Sequence, residues 1–168
     1  FAHQHKQEDS GHERWFLQDL AVMFDTEKLT IGWLYGPECS VIRDGSYTIM
    51  AELIKAESDQ LRIVLVLALE STSQIVSQET TSYICDMGYG EKLKYFSKTH
   101  FDAESEHAMY EEEGEQLLHT IKFTPQEKEK AIALVDRIYA ISSTMLDACL
   151  KQAGKEDSLK YLPDIYTE

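Results

Sequence analysis

Only three prolines, Pro37, Pro125 and Pro163, interrupt this 168-residue chain. Proline removes a backbone donor and is excluded from helix interiors, so their scarcity leaves stretches long enough for extended helices. Thr124-Pro125 opens one such stretch as an N-cap followed by proline at the first helical position, with Gln126 and Glu127 in the first turn. Beyond it Ala131, Leu134, Val135, Ile138, Ile141, Met145 and Leu146 recur at the 3.6-residue period, and the helix is expected to end near Gly154.

The same period runs through Trp15, Phe16, Leu20, Met23 and Phe24 and predicts a helix over 3–24. A turn-rich connector is expected from Asp25 to Asp44, marked by Gly32, Gly36-Pro37 and a closing Asp44-Gly45, with Leu29-Thr30-Ile31 as a short strand in the alternative. A second helix is read over 46–56. Ser58 then caps a third, with Asp59 in its first turn, running to about Ser82. Its segment Leu61–Leu69 is rich in β-branched residues and would suit a buried strand. The absence of any turn signal for about fifteen residues afterwards favours a helix. Gly88 and Gly90 mark a loop before a fourth helix over 91–119, on which Glu111, Glu112 and Glu113 form a solvated face. The tail containing Pro163 is read as irregular. The expectation is an all-α single domain spanning 1–168, with five helices around one core.

Composition bounds the partners. The net charge of −14 and pI of about 4.8 repel phosphate backbones and anionic membranes, and the 16 Lys and Arg residues form no concentrated patch. Nucleic acid and membrane are therefore not expected partners. The clean apolar run Ile63–Leu69 is far shorter than the roughly 20 residues of a spanning helix. No basic segment followed by an apolar stretch stands at the start, so no signal peptide is read there, and the opening on Phe1 fits a trimmed chain. Cys39, Cys85 and Cys149 are odd in number and widely spaced, which suits free thiols of a reducing compartment, by default the cytoplasm.

The histidines carry the chemistry. Of the six, His3, His5 and His12 fall in the first helix, His100 and His107 in the fourth, and His119 stands alone. His100, Glu104 and His107 lie at roughly 0°, 40° and −20° around a helix axis, so they share one face. Imidazoles and a carboxylate on one stripe suit iron, zinc or manganese, although such a stripe also serves as an exposed ion-pair face. In the first helix, Asp9 and His12 reproduce an acid-x-x-His arrangement, and Glu8 shares the face of His12. The competing reading is a polar, fraying first turn. Glu70 follows an apolar stretch, with Ile63, Val66 and Leu67 on its helical face. A buried carboxylate there needs a cation, such as Arg62 or Arg137, or a metal. Together Glu8 or Asp9, His12, Glu70, His100, Glu104 and His107 can supply six ligands.

Three segments carry a resemblance: E-D-x-G-H-x-x-W-x-x-x-D-L from Glu8 to Leu20, L-E-S from Leu69 to Ser71, and F-x-x-x-H-x-x-x-E-x-x-H from Phe96 to His107. Their order resembles the heme-oxygenase-like di-iron oxidases, or iron-containing redox enzymes, which are close in fold to the TenA-like proteins. The similarity covers most of residues 5–150. It implies a heme-oxygenase-like (TenA-like) helical bundle. It assigns His12 with Asp9 or Glu8 to the first ligand position, Glu70 to the second, and His100, Glu104 and His107 to the third. The implied cofactor is two iron ions, with manganese fitting the same donors. The implied activity is O2-dependent oxidation of a small organic substrate, and a homodimer is common among such bundles. Tyr83, Tyr89 and Tyr95 read as core or rim tyrosines, with donation to the ligand imidazoles as the alternative.

The chain departs from the family pattern in three ways. Glu104 stands where the family usually has Asp. The family's domain usually carries helices before the first ligand helix, so N-terminal helices are expected to be missing here. The first acid varies in spacing, which leaves Glu8, Asp9 and even His5 open. Rival readings are a metal-free TenA-like enzyme of thiamine metabolism using Cys85 or Cys149 as nucleophile, a true heme oxygenase with His12 as proximal ligand, and a non-enzymatic helical metal-binding or interaction domain.

Overall fold

A computed structural model of the chain describes residues 10–23, 31–105, 116 and 118–153, with the backbone alone for 34, 103–105 and 153. The described residues are helical, with turns between the helices and no strand among them. They comprise α1 (His12–Met23), the short α2 (Ile31–Leu34), a 3-10 turn (Pro37–Cys39), α3 (Ser40–Lys55), α4 (Asp59–Asp86), α5 (Lys98–Ser105) and α6 (Pro125–Ala153). Two compact units form. The first contains α1, the part of α4 from Ser73 onward, and the chain through α5 to Lys122. The second contains the segment to Thr72 and the chain from Phe123.

The connector expected between the first two helices is itself mostly helical. Ile31 opens α2 rather than ending a strand, while Leu29 and Thr30 lie outside the described residues. Pro37 starts the 3-10 turn after an extended Gly36, and that turn feeds directly into α3 six residues before the expected start. Gly45 is therefore inside a helix. Its lack of a side chain has a packing reason, since a Cβ there would stand 2.5 Å from the Met145 sulfur on α6.

Local signals account for the long helices. Ser58 caps α4 by accepting the Leu61 N–H at 3.3 Å. The helix ends at Asp86 in a Schellman motif: the Tyr89 N–H reaches the Ile84 carbonyl at 3.1 Å and the Gly88 N–H reaches Cys85 at 3.0 Å. Gly88 adopts φ 78°, the left-handed conformation that motif requires. At α6 the Glu127 N–H donates to Thr124 Oγ1 at 3.2 Å, while the Thr124 N–H donates to Glu127 Oε2 at 2.9 Å, closing a reciprocal capping box.

In the second unit Leu61, Leu65 and Ala68 of α4 meet Ala131, Leu134 and Ile138 of α6, with Ala56 and half-buried Ile49, Val64, Phe123 and Val135 around them. The one-turn spacing on both helices places these residues on facing stripes. Beside them Glu52 of α3 is buried. Its Oε2 accepts from Arg137 Nε at 3.1 Å and Nη2 at 2.9 Å, and its Oε1 accepts from Lys55 at 3.3 Å. Arg62 pairs instead with Asp59 at 2.7 Å. Burial would push the Glu52 carboxyl up, but hydrogen bonds from Arg137 and Lys55, and then their charges, outweigh it and hold the group below its ordinary value.

Ile138 is 0% exposed, so Ile138→Ala should cost about 2–5 kcal/mol in chemical denaturation. Leu150→Ala, on an exposed residue of the same helix, should stay within about 0.5 kcal/mol of the unsubstituted chain. A carboxyl lowered in the folded state contributes stability that is present above its unfolded value and lost as pH falls through the folded one. Glu52→Gln should therefore destabilise by about 1–2 kcal/mol at pH 7, discounted for the half-exposed Arg137. Denaturation as a function of pH should show that difference shrinking below about pH 4.5, the ordinary glutamate value.

Candidate metal centre

The first unit gathers a pair of imidazoles from segments 88 residues apart. Gly11, at φ 105°, turns the chain into α1, and its carbonyl accepts the Arg14 N–H at 3.0 Å to begin the helix. His12 thus sits at the first position of α1, where its ring stacks on Trp15 with centroids 4.9 Å apart. One turn further on, Asp19 is 1% exposed.

Asp19 organises the approach to α5. Its Oδ1 accepts the Lys94 N–H at 2.8 Å and its Oδ2 accepts the Phe96 N–H at 3.0 Å. This explains why residues 91–97 form turns rather than the start of a fourth helix. In a helix begun at 91, the Phe96 N–H would go to the Lys92 carbonyl, but the buried carboxylate takes it instead. Ser97 then caps α5: its Oγ accepts the His100 N–H at 3.2 Å and donates to the Lys94 carbonyl at 2.6 Å.

His100 is 5% exposed and occupies the third position of α5. Its Nδ1 lies 2.6 Å from the Tyr95 carbonyl. A carbonyl only accepts, so Nδ1 carries the proton, and a neutral ring then accepts at Nε2. That Nε2 lies 3.3 Å from His12 Nδ1, with ring centroids 4.4 Å apart and planes crossing at 83°. Trp15 meets His100 edge-on at 5.6 Å, and the Tyr95 ring lies 4.6 Å away on the same imidazole. Phe16 and Phe96 extend this aromatic wall through Tyr95.

The pair suits a metal. Two nitrogen ligands about 2.0–2.1 Å from one ion, at a tetrahedral angle, stand roughly 3.3 Å apart. The His12–His100 separation of 3.3 Å therefore serves a hydrogen bond or a shared ion equally well. The Nδ1–H to carbonyl bond is the arrangement that commonly fixes a ligand histidine's tautomer. Among the described residues, no group of three or more His, Cys, Asp or Glu side chains gathers as a metal site.

The other expected ligands fall elsewhere. Glu8, Asp9 and His107, together with His5, lie outside the described residues. Glu104 is on α5 one turn beyond His100, with only its backbone described. Glu70 is half-buried on α4 and belongs to the second unit. Asp19 and Trp15 stand within the motif that suggested the site, but spacing gave them no role. Their signal was an acid and an indole on the apolar face of α1. Tyr95 contributes its ring and its backbone carbonyl to His100.

A cavity of about 610 Å³ opens beside His100. Trp15 and Leu93 give it apolar surface, Lys94, Lys98 and Glu91 give it charge, and Cys85 also lines it. No helix among the described residues is long and apolar enough to cross a membrane. Comparison with known protein families, with curated proteins and with solved structures finds no match to the chain. The N-cap of α5 carries its own test: Ser97→Ala should cost about 1 kcal/mol in thermal or chemical denaturation.

Proposed function

We propose that this chain is a non-heme, di-iron type oxidase that uses O2 to oxidise a small organic molecule. The supporting observation is the His12–His100 pair, whose facing nitrogens stand 3.3 Å apart with the His100 proton held on the far side by the Tyr95 carbonyl. Iron bound there would supply the electron-transfer chemistry that O2 needs to react with an organic substrate, and manganese fits the same donors. His12 and His100 hold the metal. Glu104 follows on the same helix as His100, and the motif resemblance implies Glu8 or Asp9 and His107 as further ligands.

The residues around the pair have separate tasks. Tyr95 keeps the His100 proton on Nδ1, which leaves Nε2 as the nitrogen that would ligate. Trp15, stacked on His12 and edge-on to His100, excludes water from the imidazoles. The cavity beside His100 admits the substrate, with Trp15 and Leu93 against its apolar body. On this reading the partners are O2 and the small substrate, with neither nucleic acid nor membrane. The heme-oxygenase-like bundle, a homodimer and a reducing, cytoplasmic setting belong to the same proposal.

A second reading has one observation in its favour. Cys85 lines the cavity that His100 borders, as a metal-free, TenA-like enzyme with a thiol nucleophile would require. Metal analysis of protein from iron-supplemented cells, followed by Co(II) reconstitution, separates the two. The oxidase reading expects iron or manganese to co-purify, His12→Ala and His100→Ala to lose metal binding, and His119→Ala to keep it. Absence of binding in the unsubstituted chain would sink it.

A further inference from the structure

The Asp19 carboxylate has no place in the ligand set, yet it is the most deeply buried charged side chain among the described residues of the first unit and spends both oxygens on two backbone amides. One of those amides belongs to a particular peptide. The Phe96 N–H and the Tyr95 carbonyl are the two ends of a single planar unit, which is trans. In a trans peptide the N–H and C=O point in opposite directions. Asp19 Oδ2 takes the N–H end at 3.0 Å, and His100 Nδ1 lies 2.6 Å from the C=O end. The grip on the Lys94 N–H holds the Leu93–Lys94 peptide, two units back, so the carboxylate anchors the chain on both sides of the intervening Lys94–Tyr95 peptide.

We propose that Asp19 is a positioning residue that acts on His100 through the Tyr95–Phe96 peptide, as a carboxylate–peptide–histidine chain. The inference rests on the reading of His100 as a metal ligand. In many metal sites a carboxylate bonds directly to the imidazole N–H and raises the ligand's basicity. Here the peptide is interposed. A negative charge at its N–H end polarises the amide and strengthens its carbonyl as an acceptor, as in any hydrogen-bond chain. The carbonyl then holds the proton on Nδ1, and Nε2 faces His12 with a more basic lone pair.

Ring-nitrogen NMR on the metal-free protein reads the His100 tautomer directly, and Co(II) titration reads its strength as a ligand. The unsubstituted chain should show His100 as the Nδ1–H form, with slow exchange at the Phe96 amide. Asp19→Asn removes the charge at nearly constant volume. It should mix in the Nε2–H form and weaken Co(II) binding about 10–100-fold, while His119→Ala changes neither. A folded Asp19→Asn protein with unchanged tautomer and affinity would overturn the proposal. If that variant does not fold, the unsubstituted chain decides: Nδ1–H with a protected Phe96 amide supports the chain, and Nε2–H overturns it. Failure of the unsubstituted protein to bind Co(II) would count against the oxidase reading alone, because the tautomer measurement needs no metal.

Discussion

The candidate site depends on one buried carboxylate meeting two backbone amides. A charged group removed from water costs several kcal/mol unless its oxygens are satisfied. Asp19 of α1 recovers that cost by accepting the Lys94 and Phe96 N–H groups. Those bonds stop α5 from starting early, set Ser97 at its cap, and turn the Tyr95 carbonyl toward His100. His12, two turns before Asp19 on the same rigid helix, is then delivered to His100. The imidazole pair is a consequence of the way the loop is held.

The second unit is organised by different physics. Its core is a seam of Leu, Ile and Ala stripes on α4 and α6, with α3 tied to α6 by the Glu52–Arg137 pair and by the close approach at Gly45. A buried ion pair of this kind adds little net stability, but it fixes which faces can meet, because any other alignment leaves a charge unpaired. The apolar seam supplies the free energy, and Glu52 and Gly45 set the register in which it is applied.

Some of the local chemistry was legible because the partner lay within a turn. The Thr124 and Ser58 caps are decided by neighbours in sequence, and both were readable from residue type and spacing. The stripe on α6 was readable for the same reason. Gly88 was readable only as a loop marker, after a helix expected to end near Ser82 that runs on to Asp86. Gly45 misled, because glycine breaks helices by default and only Met145, a hundred positions away, gives it a reason to sit inside one. The expected start of the fourth helix at 91 failed for a similar cause, since Asp19 competes for its amides from 75 or more residues away.

The sequence by itself determined that the chain is predominantly helical, where α4 and α6 begin, and that His12 and His100 lie on separate helices. These follow from backbone propensity, caps and apolar period, all short-range. Tertiary structure alone decided that His12 and His100 face each other at 3.3 Å and that His100 keeps its proton on Nδ1. It also decided that Asp19, left without a role by spacing, is buried and accepts the N–H of the peptide whose carbonyl meets His100 Nδ1. Hydrogen-bond direction and burial depend on groups brought together across some 80 residues of chain, and no local pattern encodes them.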